Sequence, residues 1–249
     1  MLKRIIGVVI AVILIVGGFV VYSVLKPPAE AEAPVTAIPI GLESSTATPA
    51  AAAQATGQSS AEAGGTQAAD SGTVIYEIVP ADSKVNFTIK EVLRGQPNTV
   101  VGTTDQVAGQ IALDPSDPAG ARIGTIQVDA RTLVTDDDFR NRTIKNQILD
   151  TNSYEYITFT PRNLTGLPDQ ISFGTSYTFK IVGDLTIKEV TKEVSIDATV
   201  TPVDATRLQG SASATILYKD FGITIPQVRQ VASVDDAVAL EIDFVADAQ

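Results

Sequence analysis

The sequence of 249 residues contains no histidine, no cysteine and no tryptophan. Without His and Cys, a Ser-His-Asp triad, a cysteine nucleophile and a Cys/His zinc site are all excluded. Disulfide bonds are also excluded, so stability must come from an apolar core. Basic residues are few: 18 Lys and Arg against 29 Asp and Glu give a formal net charge of −11. This balance argues against nucleic-acid binding, which depends on cationic side chains that neutralise phosphates.

Residues 1–25 are predicted to form an N-terminal transmembrane signal anchor. The stretch from Ile5 to Leu25 carries no charge, and an α-helix of that length spans about 31 Å, the thickness of a bilayer core. Lys3 and Arg4 precede it and only Lys26 follows closely, so the positive-inside rule predicts a single-pass cell membrane protein with a cytoplasmic N-terminus. The rest of the chain is then extracytoplasmic. A cleaved signal peptide is the alternative, although the apolar region of a signal peptide is usually shorter.

Residues 26–72 are predicted to be a disordered linker rich in Pro, Ala, Ser and Thr. The segment has no aromatic residue and only four larger aliphatic ones, Val35, Ile38, Ile40 and Leu42. Such a composition buries too little apolar surface to offset the entropy lost on ordering. We therefore expect a tether that lets a folded domain sample the space beside the membrane.

Residues 73–249 are predicted to form a β domain. Apolar and polar residues alternate in at least eight runs, for example Tyr177–Ile187 and Leu240–Phe244. A period of two is typical of antiparallel strands with one buried and one solvated face. Eight such runs in one domain indicate a barrel or a sandwich. A segment from Thr135 to Leu149 departs from this pattern and predicts one short helix, with acidic residues at its start and basic residues later.

The sequence contains no clear motif for catalysis or for binding a cofactor. The acidic run from Asp136 to Asp138 is best explained by the helix dipole, and it lacks the alternating ligands and the glycine of a calcium loop. Phosphate-binding glycine loops are absent. We predict that the chain is not an enzyme and uses neither a metal nor another cofactor.

Several small residues fall on the apolar face of long strands: Gly109, Gly183, Ala198, Ala212 and Ala214. One explanation is a barrel whose interior stays open for a long apolar ligand. The other is that each glycine marks a bend and each alanine faces a bulky neighbour. The residue pattern alone leaves both open.

Five ordered motifs resemble the YceI-like domain family, and they extend from about Tyr76 to Phe244. The resemblance rests on Asp82–Ile89, Val101–Ile111, Thr132–Phe159, Gly183–Val194 and, at the end, Asp220–Ile223 with Val238–Leu240. It implies an extended antiparallel lipocalin-like β-barrel and a binder or carrier of a polyisoprenoid or similar long-chain lipid. The sequence departs from the family at two places where histidine is often found. Lys90 stands at the first, and Arg140–Ile144 replaces an Arg-Asp-x-His-Leu motif at the second.

The strand pattern and the resemblance together predict the residues of the lumen or its plug. They are Phe87, Ile89, Ile111, Ile126, Val128, Phe139, Ile144, Ile148, Phe159, Phe179, Ile181, Leu185, Ile196, Ala198, Ala214, Ile216 and Phe244. Arg140 and Lys90 are candidates for contact with a lipid head group, although Arg140 could instead anchor the helix to an aspartate. The predicted function is a membrane-tethered extracytoplasmic lipid-binding protein. The alternative is a filled barrel that acts as an interaction module at the cell envelope.

Overall fold

The computed structural model describes residues 27–31, 33–40, 72–229 and 231–249. The predicted anchor and most of the predicted linker therefore lie outside the described residues. None of the helices within the described ranges has the length and apolar character that a membrane crossing requires.

The described domain is a curled antiparallel sheet, a half-barrel, with one short helix. The sheet has twelve strands rather than the expected eight or so. The strands are β1 Val74–Ile78, β2 Lys84–Leu93, β3 Gln96–Thr104, β4 Val107–Ala108, β5 Gln110–Leu113, β6 Arg122–Ile123, β7 Ile126–Asp129, β8 Tyr156–Thr165, β9 Tyr177–Ile187, β10 Val190–Pro202, β11 Arg207–Leu217 and β12 Val231–Ala248. Two of the additional strands arise because a glycine-containing step, at Gly109 and at Gly124–Thr125, breaks β4 from β5 and β6 from β7.

Neighbouring strands follow the order β4-β7-β8-β9-β10-β11-β12-β1-β5-β6. The part of β12 from Val231 to Asp243 also pairs with β2, which forms a hairpin with β3. The hairpin turns at Arg94 and Gly95, which have φ of 52° and 80°, as a two-residue turn between twisted strands requires. Burial alternates along β9, where Phe179, Ile181 and Leu185 are buried and face the interior. This confirms the period-two pattern read from the sequence.

The helical segment is shorter than the predicted span. The helix α1 covers Asp138–Thr143, and one π-helical turn, Ile144–Ile148, continues it. Asp137 caps it, because its carboxylate accepts a hydrogen bond from the backbone N–H of Arg140 at 2.7 Å. Thr135, where the predicted span begins, lies outside the helix and donates its backbone N–H to the side chain of Asn141. The π turn closes with the Leu149 N–H donating to the Ile144 carbonyl at 2.8 Å.

Part of the predicted linker lies against the sheet. We call residues 27–31 and 33–40 the strap. Val35 is only 5% exposed, and the Ile40 N–H donates to Oε1 of Gln110 at 2.9 Å. The Ile40 side chain lies against the backbone of Gly124, where a Cβ would be 2.9 Å from it. The strap is therefore not the free tether that was expected for these residues. Of the four linker aliphatics, Val35 is buried and Ile40 contacts the domain.

Candidate ligand cavities

The curled sheet encloses an inner cavity of about 240 Å³. Its wall is almost entirely apolar, because the inward positions of every long strand carry aliphatic or aromatic side chains. Twelve of the predicted lumen residues line it: Phe87, Ile111, Ile126, Val128, Phe159, Phe179, Ile181, Leu185, Ile196, Ala198, Ala214 and Phe244.

A larger outer cavity of about 720 Å³ lies at the end of the sheet where α1 packs. The other predicted residues, Ile89, Phe139, Ile144, Ile148 and Ile216, line this cavity, and Phe87 borders both. All seventeen predicted positions thus lie at one of the two cavities, while their contact with a ligand stays a prediction. Sequence reasoning missed the loop after β11, which contributes Ile225, Pro226 and Val228. This loop has no periodicity that could have indicated an inward face.

The two cavities meet at a shared wall. Phe87, Leu133, Ile157 and Leu240 line both of them. Phe87 pairs with Gly102 on one side and with Leu240 on the other. These four side chains therefore separate an inner from an outer chamber, and we call them the constriction.

The glycines on the apolar face do not create the open volume. A Cβ added at Gly183 would lie 2.7 Å from the ring of Phe159, and one at Gly109 would collide with Ile126. Both glycines therefore face a bulky neighbour, which the second explanation had assigned to the alanines, and only Gly109 also lies at a break between two strands. The alanines behave differently, since Ala198, Ala212 and Ala214 line the inner cavity directly.

Charged residues line the outer cavity beside α1, at the part that we call its mouth. Arg140 pairs with Asp136 and, at 3.4 Å, with Glu91. Glu91 also accepts a hydrogen bond from Nδ2 of Asn98 at 2.8 Å. Arg140 is thus held by two carboxylates while it lines the mouth, which matches the role of helix anchor. Lys90, the second head-group candidate, is exposed and lines neither cavity.

A buried ion pair supports the connection from β7 to α1. The Arg131 guanidinium donates from Nε and Nη2 to the Asp129 carboxylate at 3.0 and 2.8 Å, and both side chains are almost fully buried. These hydrogen bonds raise the pKa of Arg131 above its usual value. The Asp129 carboxylate also accepts the backbone N–H of Arg131. Sequence reasoning missed this pair, because an Asp-Ala-Arg triplet resembles many exposed turns.

The part of the chain that the structure describes has no candidate metal-binding site. No group of three or more acidic side chains there is arranged to hold a metal ion. The carboxylates at the mouth belong to ion pairs and to the helix cap instead.

Comparison with known proteins identifies relatives of this fold. The model of the YceI-like domain matches residues 76–246. The crystal structure of BcnA from Burkholderia cenocepacia is similar, with 20% identity and a TM-score of 0.54 over 68% of this chain and 98% of that one. A polyisoprenoid binding domain from Saccharophagus degradans, implicated in plant cell wall breakdown, is 15% identical with a TM-score of 0.56, over 71% and 99% of the two chains. A comparison with curated proteins found no significant match.

Proposed function

Because the chain belongs to the YceI-like domain family, we propose that it binds a polyisoprenoid or similar long-chain lipid in its two cavities. The observation that carries the proposal is the pair of adjacent apolar chambers, of about 240 and 720 Å³. Pockets that hold small ligands are mostly apolar and measure about 300–1,000 Å³. Burial of each methylene contributes about 0.8 kcal/mol, so a long chain can bind tightly through its tail alone.

The chemistry of the two chambers suggests an orientation for the lipid. The inner chamber has almost no polar wall, which suits a hydrocarbon tail. The outer chamber carries Glu91, Asp137 and Arg140 at its mouth, which suits a polar head. The tail would then pass the constriction at Phe87, and the head would stay beside α1.

The proposal extends to the place where the protein works. The uncharged stretch from Ile5 to Leu25 would anchor the chain in the cell membrane, with the domain on the extracytoplasmic side. The domain would then bind lipid as a carrier or holder, with no catalytic step. A domain anchored in this way would bind lipid beside the bilayer rather than deliver it over a long distance.

Native mass spectrometry of the full chain tests the binding proposal. We expect the protein, released from a mild detergent, to carry an added mass that solvent extraction identifies as an isoprenoid or another long-chain lipid. A single mass equal to the polypeptide, together with failure to take up a fluorescent isoprenoid probe, would instead favour a filled barrel that serves as an interaction module.

A further inference from the structure

The opening of the outer cavity has a rim that combines exposed apolar side chains with Arg94. Arg94 in the β2–β3 turn, Phe139 in α1 and Val228 in the loop before β12 come from three separate elements that line this cavity. Phe139 is 49% exposed and Val228 is 39% exposed. We call these three residues with Pro226 the rim. Large apolar side chains that stay exposed around an opening usually mark a surface that meets another molecule or a membrane.

The strap links the end of the sheet where α1 packs to residues 1–26, which precede the strap in the sequence. Burial lowers the pKa of Lys145 in the π turn, while the nearby carboxylates of Asp129 and Glu30 act in the opposite direction. The Glu30 end of the strap is therefore within electrostatic range of the turn that continues α1. The other end is held by the Ile40 hydrogen bond to Gln110 and by the contact with Gly124.

Strand directions place the rim and the Glu30 end of the strap on the same side. Asp129 pairs with Tyr156 at the start of β8, and Leu93 pairs with Val231 at the start of β12. The loop from Gly166 to Ser176, between β8 and β9, lies at the other end of the sheet. Thr175 in that loop is exposed and far along the strands from α1.

We propose that the rim docks on the surface of a lipid bilayer, and that the strap holds it there. Only four residues separate Leu25 from Glu30, so the five steps between them reach at most about 18 Å in an extended chain. A free tether of the whole linker would instead span roughly 35–40 Å and leave the orientation of the domain random. The strap therefore turns the mouth of the outer cavity toward the bilayer, so that a lipid enters without crossing open water. This inference rests on the proposed function, because it assumes that residues 5–25 are membrane-embedded.

The absence of cysteine permits a direct test with single labels. The variants Gln227→Cys beside the rim and Thr175→Cys at the other end each carry a bimane fluorophore on the full chain. The chain is placed in phosphatidylcholine nanodiscs that contain lipids with a nitroxide on the head group. We expect loss of fluorescence for the label at position 227 and none for the label at position 175. Equal quenching of both labels, or stronger quenching at position 175, would overturn the inference.

Substitutions in the strap show whether it sets the orientation. Val35→Asp places a charge at a buried position, whereas Thr36→Asp places the same charge at the exposed neighbour. Ile40→Pro removes the N–H that Gln110 accepts. We expect Val35→Asp and Ile40→Pro to abolish the difference between the two labels and Thr36→Asp to preserve it. A difference that survives both strap variants would overturn the role of the strap.

Two controls separate this inference from the proposed function. Lipid extraction of the same nanodisc samples reports binding independently of orientation, so bound lipid without selective quenching overturns only the docking inference. Failure of the full chain to enter nanodiscs would overturn the membrane anchor and the docking inference together.

Discussion

The ring of Phe87 lies over the backbone of Gly102, its partner across β2 and β3. A Cβ at Gly102 would collide with three ring carbons of Phe87. Because Gly102 has no side chain, β3 leaves room for the Phe87 ring, which borders both cavities. The width of the constriction depends on this pair.

Replacement of Gly102 tests the pair. We expect Gly102→Ala to lower the free energy of unfolding by about 1–3 kcal/mol, because the new methyl group forces the Phe87 ring from its position. Addition of Phe87→Leu should recover part of this loss, since the two residues are in contact and their effects are not additive. Urea unfolding of the two single variants and the double variant measures this. Strictly additive effects would show that the ring does not depend on Gly102.

The buried ion pair of Asp129 and Arg131 should be costly to break. Asp129→Asn leaves the Arg131 guanidinium buried without its full partner, so we expect a loss of about 3–5 kcal/mol in the free energy of unfolding. Glu155 also pairs with Arg131, at 3.1 Å, but is half exposed. Glu155→Gln is the matched control and should cost at most about 1 kcal/mol. Similar losses in the two variants would contradict the assignment.

The cap of α1 can be distinguished from its neighbours in the acidic run. Asp137 accepts the Arg140 N–H, so Asp137→Ala should destabilise the domain by about 1 kcal/mol. Asp138 begins the helix and acts only through the dipole, so Asp138→Ala should cost about 0.3–1 kcal/mol. Thermal unfolding monitored by circular dichroism compares the two. A larger effect at Asp138 would mean that the helix begins elsewhere.

Stability should fall in acid through the pairing of Arg207 with Asp247. Hydrogen bonds from Arg207, at 2.7 and 2.9 Å, hold the pKa of Asp247 below its usual value. An aspartate with a lowered folded-state pKa contributes fully above its unfolded pKa of about 3.9, and the contribution disappears as the pH falls through the folded value. Asp247→Asn and Arg207→Gln should each weaken the acid dependence below about pH 4. Urea unfolding at several pH values measures this, and an unchanged slope in both variants would contradict it.

The sequence predicted the strands well because the alternation of apolar and polar residues assigns each side chain to the inner or the outer face. Phe179, Ile181 and Leu185 illustrate this, since each occupies the interior position that alternation assigns. Contacts across strands were not predictable in the same way. That Phe159 covers Gly183, or that Phe87 covers Gly102, depends on register between strands. Register is set by turn geometry together with the hydrophobic pattern, and the alternation within one strand assigns a face but not a partner.

The strap and the loop after β11 were missed for different reasons. Val35 and Ile40 were visible as rare aliphatics in a polar segment, but composition averaged over the whole linker hid two anchored positions. The loop with Val228 has neither helical nor strand periodicity. Its position follows from β12, which begins earlier than its alternating core and is bent by register shifts between Val231 and Val238.

A lipid-filled lumen, the central claim, is tested most directly by Ala198→Phe. Ala198 lines the inner cavity beside Phe179 and Ala212, so the new ring should occupy the space of the lipid tail. Thr199→Phe adds the same ring on the outer face of the strand and is the matched control. We expect Ala198→Phe to lose the bound lipid that wild type and Thr199→Phe retain, with nearly unchanged resistance to urea. Unchanged lipid content, or a lipid-free wild type that Ala198→Phe destabilises by about 1–3 kcal/mol through overpacking, would contradict the account.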